Sequence, residues 1–209
     1  MDLSTPMSST QILNSPGRRF LKPWLIAVIV IVLVIVGVSV SFIGRYNNMF
    51  RLQQQVKQSW SQVDVDIQRR ADLIPNLVAT VKGFAKQEQT VIGEVTKARA
   101  ALGGARTPNQ TMAANNQLDG ALSRLLVIVE NYPDLKSNQN FLALQDELTG
   151  TENRIAVSRR QYNLSIQTYD SYIGTFPNSL VAHFSGMTYN NDYFQTAAAN
   201  RAAPPTVSF

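Results

Sequence analysis

The stretch "QRRADLIPNLVATVKGFA" (residues 68–85) decides how the chain folds, because it places Pro75 between two apolar stripes of helical period. A proline lacks the N–H that a helix interior requires, but it is tolerated in the first turn of a new helix. Asp72 is well placed to cap such a helix, with its carboxylate near the positive end. The sequence therefore predicts a helix corner at residues 70–75, formed by Asp72 and Pro75. A single kinked helix stays open, because Ile74 and Leu77 keep phase across the proline.

Four stripes of apolar residues, three or four positions apart, predict four amphipathic helices. The stripes consist of Met49, Leu52, Val56, Trp60, Val63, Ile67, Ala71 and Ile74; Leu77, Val81, Phe84, Val91, Val95, Ala98 and Leu102, with Glu88 in phase; Met112, Leu118, Leu122, Leu125, Val129 and Tyr132; and Phe141, Leu144, Leu148, Ile155, Tyr162, Ile166, Tyr169 and Ile173. The segments "GGARTPN" (103–109) and "YPDLKSN" (132–138) supply loops between them. No segment alternates with period two, so no sheet is expected.

These stripes predict an all-α fold, because each apolar face must be buried against the others. Four helices with short connections pack naturally as an antiparallel up-down bundle, which we place at residues 45–175. The remaining residues, 176–209, are expected to form short helices and a mobile tail rich in aromatic residues and proline. Within them, "FPNSLVAHF" (176–184) has a proline placed to open a short helix.

A membrane span precedes the bundle. The run "WLIAVIVIVLVIVGVSVSFI" (24–43) carries no charge, and a helix of that length spans about 30 Å of hydrocarbon. Residues 1–23 are expected to be a disordered tail with a basic flank. A cleaved signal peptide is the rival interpretation, but the apolar run exceeds the roughly 7–15 residues of a signal sequence. The sequence thus predicts a single-pass membrane protein.

Basic residues on the two sides of the span indicate its orientation. Arg18, Arg19 and Lys22 lie before it, closely spaced, whereas Arg45, Arg51 and Lys57 follow at longer intervals. The positive-inside rule then favours a cytoplasmic N-terminus and a helical domain outside the cytoplasm. The sequence has no cysteine, which excludes disulfides and thiolate chemistry. No long basic run or basic–aromatic alternation suggests nucleic-acid binding.

Charged residues on the apolar seams predict a structural polar layer inside the bundle. Glu88 and Glu152 both fall on seams, and a charge there is costly unless it is paired. Arginines of "QRRAD" and "ENRIAVSRR" are the expected partners. The predicted layer comprises Arg69, Arg70, Asp72, Glu88, Glu152, Arg154 and Arg159, with Arg160 as a further candidate.

A catalytic, metal or cofactor site is not predicted. A di-iron helical bundle needs Glu-x-x-His pairs on facing helices, and the sequence contains none. His183, the only histidine, has no nucleophile and positioning carboxylate at a recognisable spacing. Tyr162 and Tyr169, seven residues apart on one stripe, are typical of core packing. The segment "LGGAR" has neither the spacing nor the lysine of a phosphate-binding loop, and no small-molecule substrate is identified.

Two long segments resemble the LemA family. They are "YNNMFRLQQQVKQSWSQVDVDIQRRADLIPNLVATVKGFAKQEQTVIGEVTKARA" (46–100) and "YPDLKSNQNFLALQDELTGTENRIAVSRRQYNLSIQTYDSYIGTFPNSLVA" (132–182). The resemblance implies a membrane-anchored antiparallel four-helix bundle with no assigned reaction, and one branch of the family is associated with magnetosome membranes. Where the family commonly has a histidine this chain has Gln87, which weakens any metal proposal at that position.

The sequence favours a non-enzymatic scaffold or interaction protein of a bacterial membrane. Its expected partners are the lipid bilayer and either an unknown protein or a second copy of the chain. Two alternatives stay open: an accessory subunit of a membrane enzyme such as a peptidase, and a LemA-type protein of the magnetosome membrane. The lack of a recognisable catalytic constellation favours the first interpretation over an enzyme.

Overall fold

The computed structural model describes residues 22–194 and is all-helical over that range, as predicted. Its helices are α1 (Pro23–Phe84), α2 (Gln89–Gly104), α3 (Pro108–Val129), α4 (Pro133–Lys136), α5 (Gln139–Gly174) and α6 (Asn178–Ser185). No strand occurs among these residues. The predicted N-terminal tail, up to residue 21, and the end of the C-terminal tail, from residue 195, lie outside the described residues.

The chain divides into two compact units between Ile43 and Gly44. In the first unit the described residues are almost all apolar and exposed: Leu33 and Val38, for example, are each 64% exposed. Of the described helices, α1 is the one long and apolar enough to cross a membrane, judged by length and composition. Its apolar part contains the predicted span, residues 24–43, and is compatible with a single-pass membrane anchor.

The second unit is built around one hydrophobic core, to which α1, α2, α3 and α5 all contribute. The predicted stripes supply most of it, and Tyr162 and Tyr169 are buried in it as expected. Its largest fully buried side chains are Tyr162, Phe141, Met49, Ile67, Ile74, Leu77, Leu118, Leu125, Leu135, Ile155, Ile166 and Val63. Helix α2 packs on α3, and α6 packs on α5. The up-down order of four helices stays a prediction.

The predicted corner at residues 70–75 is wrong, because α1 passes through Pro75 without interruption. Pro75 has no N–H to offer the carbonyl of Ala71, four residues earlier, and an unpaired buried carbonyl would be costly. Arg99 of α2 supplies the missing donor: its Nε lies 3.0 Å from the Ala71 oxygen. Asp72 is not a helix cap either, since it accepts a hydrogen bond from Gln68 Nε2 at 2.8 Å within the same helix.

The chain turns instead at residues 85–88, between α1 and α2. Ala85 is fully buried there and continues the core, whereas Phe84, which the stripe placed inside, is 42% exposed. Backbone bonds from Ala85 N to Val81 O (2.8 Å) and from Glu88 N to Ala85 O (3.2 Å) close the turn. Glu88 therefore lies at the N-cap position of α2 rather than inside a helix.

Local capping explains the other helix boundaries. Thr107 accepts a hydrogen bond from Gln110 N at the start of α3, where Pro108 occupies the first helical turn. Asn138 accepts bonds from Asn140 N and Phe141 N at the start of α5. Helix α6 ends at Gly186, whose φ of 67° is a left-handed conformation that glycine adopts without steric cost.

Candidate functional site

Arg70 is the centre of a buried ion-pair cluster that joins three helices. The residue is 7% exposed, and its Nη1 donates to Asp119 on α3 and, at 2.6 Å, to Glu152 on α5. A guanidinium removed from water requires such partners, because an unpaired buried charge costs several kcal/mol. One side chain of α1 thereby fixes the positions of α3 and α5.

A second arginine and an asparagine complete the cluster. Arg159 Nη2 lies 3.8 Å from Asp119 Oδ2, and Asn115 Nδ2 donates to the same oxygen at 3.0 Å. Two arginines and two carboxylates give the cluster no net formal charge. Some hydrogen-bonding capacity is nevertheless unused in the structure: Arg70 Nε, Arg159 Nε and Nη2, and Asn115 Oδ1 are buried without a hydrogen-bond partner.

The cluster opens to solvent on one side. Glu152, whose side chain is 44% exposed, and Arg70 line a hollow of about 210 Å³ whose other walls are mainly leucine side chains. Each of the two carboxylates accepts a hydrogen bond from Arg70. Both carboxylates are thus engaged by the same guanidinium, and the cluster contains no histidine, serine or other nucleophile. Its geometry supports a structural link between helices.

The other members of the predicted polar layer lie elsewhere. Arg69 forms an exposed ion pair with Glu147 at 3.1 Å. Glu88 accepts a hydrogen bond from the Tyr132 hydroxyl at 2.8 Å instead of pairing with an arginine. This hydrogen bond raises the pKa of Tyr132, because the phenol must keep its proton to donate it; desolvation and the negative charge of Glu88 act in the same direction.

Arg154 and Arg160 are exposed on α5. Arg154 lines a surface hollow of about 510 Å³ together with Asp66, a buried carboxylate that accepts a hydrogen bond from Gln62 at 3.3 Å. The structure thus brings three of the seven predicted residues together: Arg70, Glu152 and Arg159.

Sequence reasoning missed Asn115 and Asp119, the α3 side of the cluster. The third stripe leaves a gap of six residues between Met112 and Leu118, and Asn115 divides that gap into two helical steps of three. Asn115 is fully buried. A polar residue filling such a gap is the signal that could have identified it, and Asp119 follows one turn later.

An aromatic cluster adjoins the ion pairs. Trp60 of α1 packs edge-on against Tyr162 of α5, with ring centroids 5.3 Å apart, and stacks on Phe194 at 6.0 Å. The Arg159 guanidinium lies over the Phe194 ring, 5.1 Å from its centroid. The cation–π contact occupies the face of a guanidinium whose N–H groups are incompletely bonded.

Side chains of α5 clamp the segment that carries Phe194. Asn163 donates to the Phe194 carbonyl and accepts from its N–H, both at 2.9 Å. Asp170 accepts from Asn190 N at 2.9 Å and from the Tyr193 hydroxyl at 3.0 Å. Residues 187–194 were predicted as part of a mobile tail, but in the structure they are held against α5 by these hydrogen bonds. Residues 187–194 belong to neither helix nor strand, so their peptide groups need side-chain partners.

Two tyrosines of this region hold their protons tightly. Burial and then the negative charge of Asp192 raise the pKa of Tyr162 to about 12. Burial, followed by the hydrogen bond to Asp170, raises the pKa of Tyr193 to about 12. Both phenols are therefore neutral hydrogen-bonding groups at physiological pH.

Fold and site together define a class of protein. One apolar run able to cross a membrane precedes a helical unit in which a buried arginine pairs with carboxylates of two other helices. A sequence model of the LemA family matches residues 59–209, nearly three quarters of the chain. The chain belongs to the LemA family.

The relatives in this family have low sequence identity to this chain, but the alignments cover most of its length. Magnetosome protein MamQ 2 of Paramagnetospirillum magneticum is 25% identical over 215 residues, covering 89% of this chain and 78% of the relative. Protein LemA of Metamycoplasma hominis is 25% identical over 161 residues, covering 77% of this chain and 73% of the relative. MamQ of Magnetospirillum gryphiswaldense is 25% identical over 199 residues, covering 83% of this chain and 73% of the relative. None of these three names states a reaction.

Proposed function

We propose that the protein is a single-pass, membrane-anchored scaffold that displays a helical unit to a protein partner or to further copies of itself. One observation carries the proposal: Arg70, the buried arginine of the second unit, is engaged by structural partners, Asp119 and Glu152. A catalytic centre needs groups left available for substrate. The exposed apolar residues of the first unit supply the attachment to lipid.

Four helices in up-down order would suit this role. Short loops bring successive helices side by side, and the Arg70 cluster would fix their register. The outward faces of such a bundle are then free for partners. Buried ionic groups serve register in this way in some helical assemblies, at a cost in stability.

A magnetosome-membrane role is the second candidate. The MamQ 2 alignment covers 89% of the chain, which cannot fit within residues 59–209, so the similarity reaches into the residues ahead of the family match. The apolar run lies in that upstream part. A role at the magnetosome membrane requires a source organism that makes magnetosomes. Labelling the protein in such cells and finding it at the ordinary cell membrane alone would exclude this candidate.

We place the N-terminus in the cytoplasm and the helical unit outside it, following the closely spaced basic residues ahead of the span. Reporter fusions at residue 209 test the placement. A reporter that works only outside the cytoplasm, such as alkaline phosphatase, should be active there. A C-terminal fluorescent reporter active only in the cytoplasm would reverse the orientation.

Crosslinking in native membranes tests the scaffold role. Because the sequence has no cysteine, a single Val127→Cys or Val157→Cys substitution gives one reactive position on the exposed surface of α3 or α5. A scaffold predicts crosslinks to a second copy or to one reproducible non-enzymatic partner. Reproducible capture of a membrane enzyme, with loss of that enzyme's activity when this protein is deleted, would favour the accessory-subunit role instead.

A further inference from the structure

Helix α6 presents an apolar face that nothing in the described residues covers. Phe176 lies two residues ahead of the helix, and Leu180 and Phe184, one turn apart within it, share one side. They are 81%, 52% and 78% exposed, whereas Val181 and Ala182, on the opposite side, are buried against the core. Three exposed large apolar side chains, two on this short helix and one just ahead of it, indicate an interaction surface. We refer to Phe176, Leu180 and Phe184 as the α6 face.

Helix α6 is hydrogen-bonded to the part of the second unit that directly follows the apolar run in sequence. Arg45 Nη1 donates to Asn178 Oδ1, at the start of α6, at 2.6 Å. Asn178 is in turn fixed by its Nδ2, which donates to the Tyr172 carbonyl at 3.0 Å and to Thr175 Oγ1 at 3.2 Å. Arg45 is two residues beyond Ile43, and two residues span at most about 7 Å of chain. The residue that contacts the start of α6 is therefore separated from the apolar run by one residue of chain.

The sequence around α6 lacks full charges. From Ser171 to Asn191 there is no Asp, Glu, Lys or Arg, and the segment contains one histidine, His183. No carboxylate, ammonium or guanidinium group of this segment therefore needs to be desolvated when it approaches lipid. Aromatic side chains such as Phe184 and Tyr189, which is 59% exposed, are enriched at the boundary between hydrocarbon and headgroups.

We propose that the α6 face inserts into the headgroup boundary of the bilayer that holds the apolar span, so that the protein contacts its membrane at a second place. The inference rests on the proposed membrane anchor. A helix of eight residues is about 12 Å long and can lie in the interfacial plane with one side in lipid and the other on α5. A second copy of the chain is a weaker occupant, since three side chains bury far less than the roughly 800 Å² per partner of a stable interface.

Site-directed spin labelling of the full chain tests this contact. The cysteine-free sequence allows one label at a time, introduced as Phe184→Cys on the α6 face, Val157→Cys on exposed α5 as the water control, and Leu33→Cys as the lipid control. The labelled chains are reconstituted in vesicles of equal parts phosphatidylcholine and phosphatidylglycerol. Collision rates with oxygen, which concentrates in lipid, and with a nickel chelate, which stays in water, report the depth of each label.

Insertion predicts that the label at position 184 collides several-fold less with the nickel chelate than the label at 157, and more with oxygen. Equal nickel collision at 184 and 157 would overturn the proposal. Protection at 184 from both reagents would also overturn it, in favour of a protein contact such as a second copy. If the label at 33 is itself open to nickel, the membrane anchor is wrong, and the inference fails with it.

Discussion

At the residue scale, Arg70 and Arg69 are adjacent in sequence but have different environments. Arg70 is buried between two carboxylates, whereas Arg69 and Glu147 form a pair with 58% and 44% of their side chains exposed. Exposed pairs contribute little because water and salt screen them, while removing one member of a buried pair leaves a charge without compensation. The two neighbours thus form a matched test of the buried cluster.

Arg70→Met should lower the free energy of unfolding by about 2–4 kcal/mol, below the full cost of breaking a buried pair because Glu152 is partly exposed. Arg69→Met should change it by less than about 1 kcal/mol. Urea unfolding of the detergent-solubilised chain, followed by circular dichroism, measures both. Equal effects of the two substitutions would show that the cluster does not stabilise the fold.

Because of Tyr193, the free energy of unfolding should depend on pH above about pH 10. Its pKa is about 12 in the folded protein and 10.0 in the unfolded chain, so the folded state retains a proton that the unfolded state loses between those values. The contribution is fully present below pH 10 and declines as the pH rises towards 12. Tyr193→Phe should therefore make the free energy of unfolding fall less steeply from pH 10 to 11.5. A slope as steep as that of the unaltered chain would contradict this explanation.

At the element scale, α1 stays helical through Pro75 because α2 replaces the lost hydrogen bond. Arg99→Met should lower the free energy of unfolding by about 1–3 kcal/mol, because the Ala71 carbonyl would lose its hydrogen-bond donor. In a Pro75→Ala background the new backbone N–H can bond that carbonyl, so the same Arg99→Met change should cost clearly less. Unfolding of the two single variants and the double variant measures the coupling.

Lys97→Met is the control for this comparison of the Arg99 and Pro75 variants, because Lys97 is exposed on the same helix as Arg99. It should have little effect in either background. An Arg99→Met cost that is unchanged by Pro75→Ala would mean that Arg99 does not compensate for the proline.

The clamp of residues 187–194 is also an element-scale feature. Asn163→Ala removes both hydrogen bonds to the Phe194 backbone, worth about 0.5–1.5 kcal/mol each. Amide hydrogen exchange at residues 190–194 should become about tenfold faster or more. Asn153→Ala, at an exposed position of α5, is the control and should leave exchange in this segment unchanged. Unaltered exchange in the Asn163 variant would show that the packing of Phe194 alone holds the segment.

The apolar stripes predicted the helices well because helical period is a local property of the sequence. The corner at Asp72 and Pro75 was mispredicted because the compensating donor, Arg99, lies 28 residues further on, and no local rule reports a distant partner. Three of the four charged residues in the ion-pair cluster were foreseen: Arg70, Glu152 and Arg159. Asp119 was not predicted, because a carboxylate next to an apolar stripe is expected to be exposed to solvent. Only the packing of α3 against α1 and α5 shows that it faces Arg70.

At the scale of the whole molecule, the two units have opposite surfaces. Residues 24–43 expose apolar side chains, whereas in the second unit such side chains are largely collected in one core. Lipid around the first unit would cover its exposed apolar side chains, and water would solvate the mainly polar surface of the second unit. The anchor is therefore the claim on which the proposed scaffold role and the α6 contact both depend.

Intact mass spectrometry of carbonate-washed membranes tests this anchor most directly. Alkaline carbonate removes peripheral proteins, and a cleaved signal sequence would shorten the chain by about the residues up to Ser41. An uncleaved span predicts that a chain of 23.2 kDa stays in the washed membrane. A shorter, soluble product that begins near residue 41 would contradict the account.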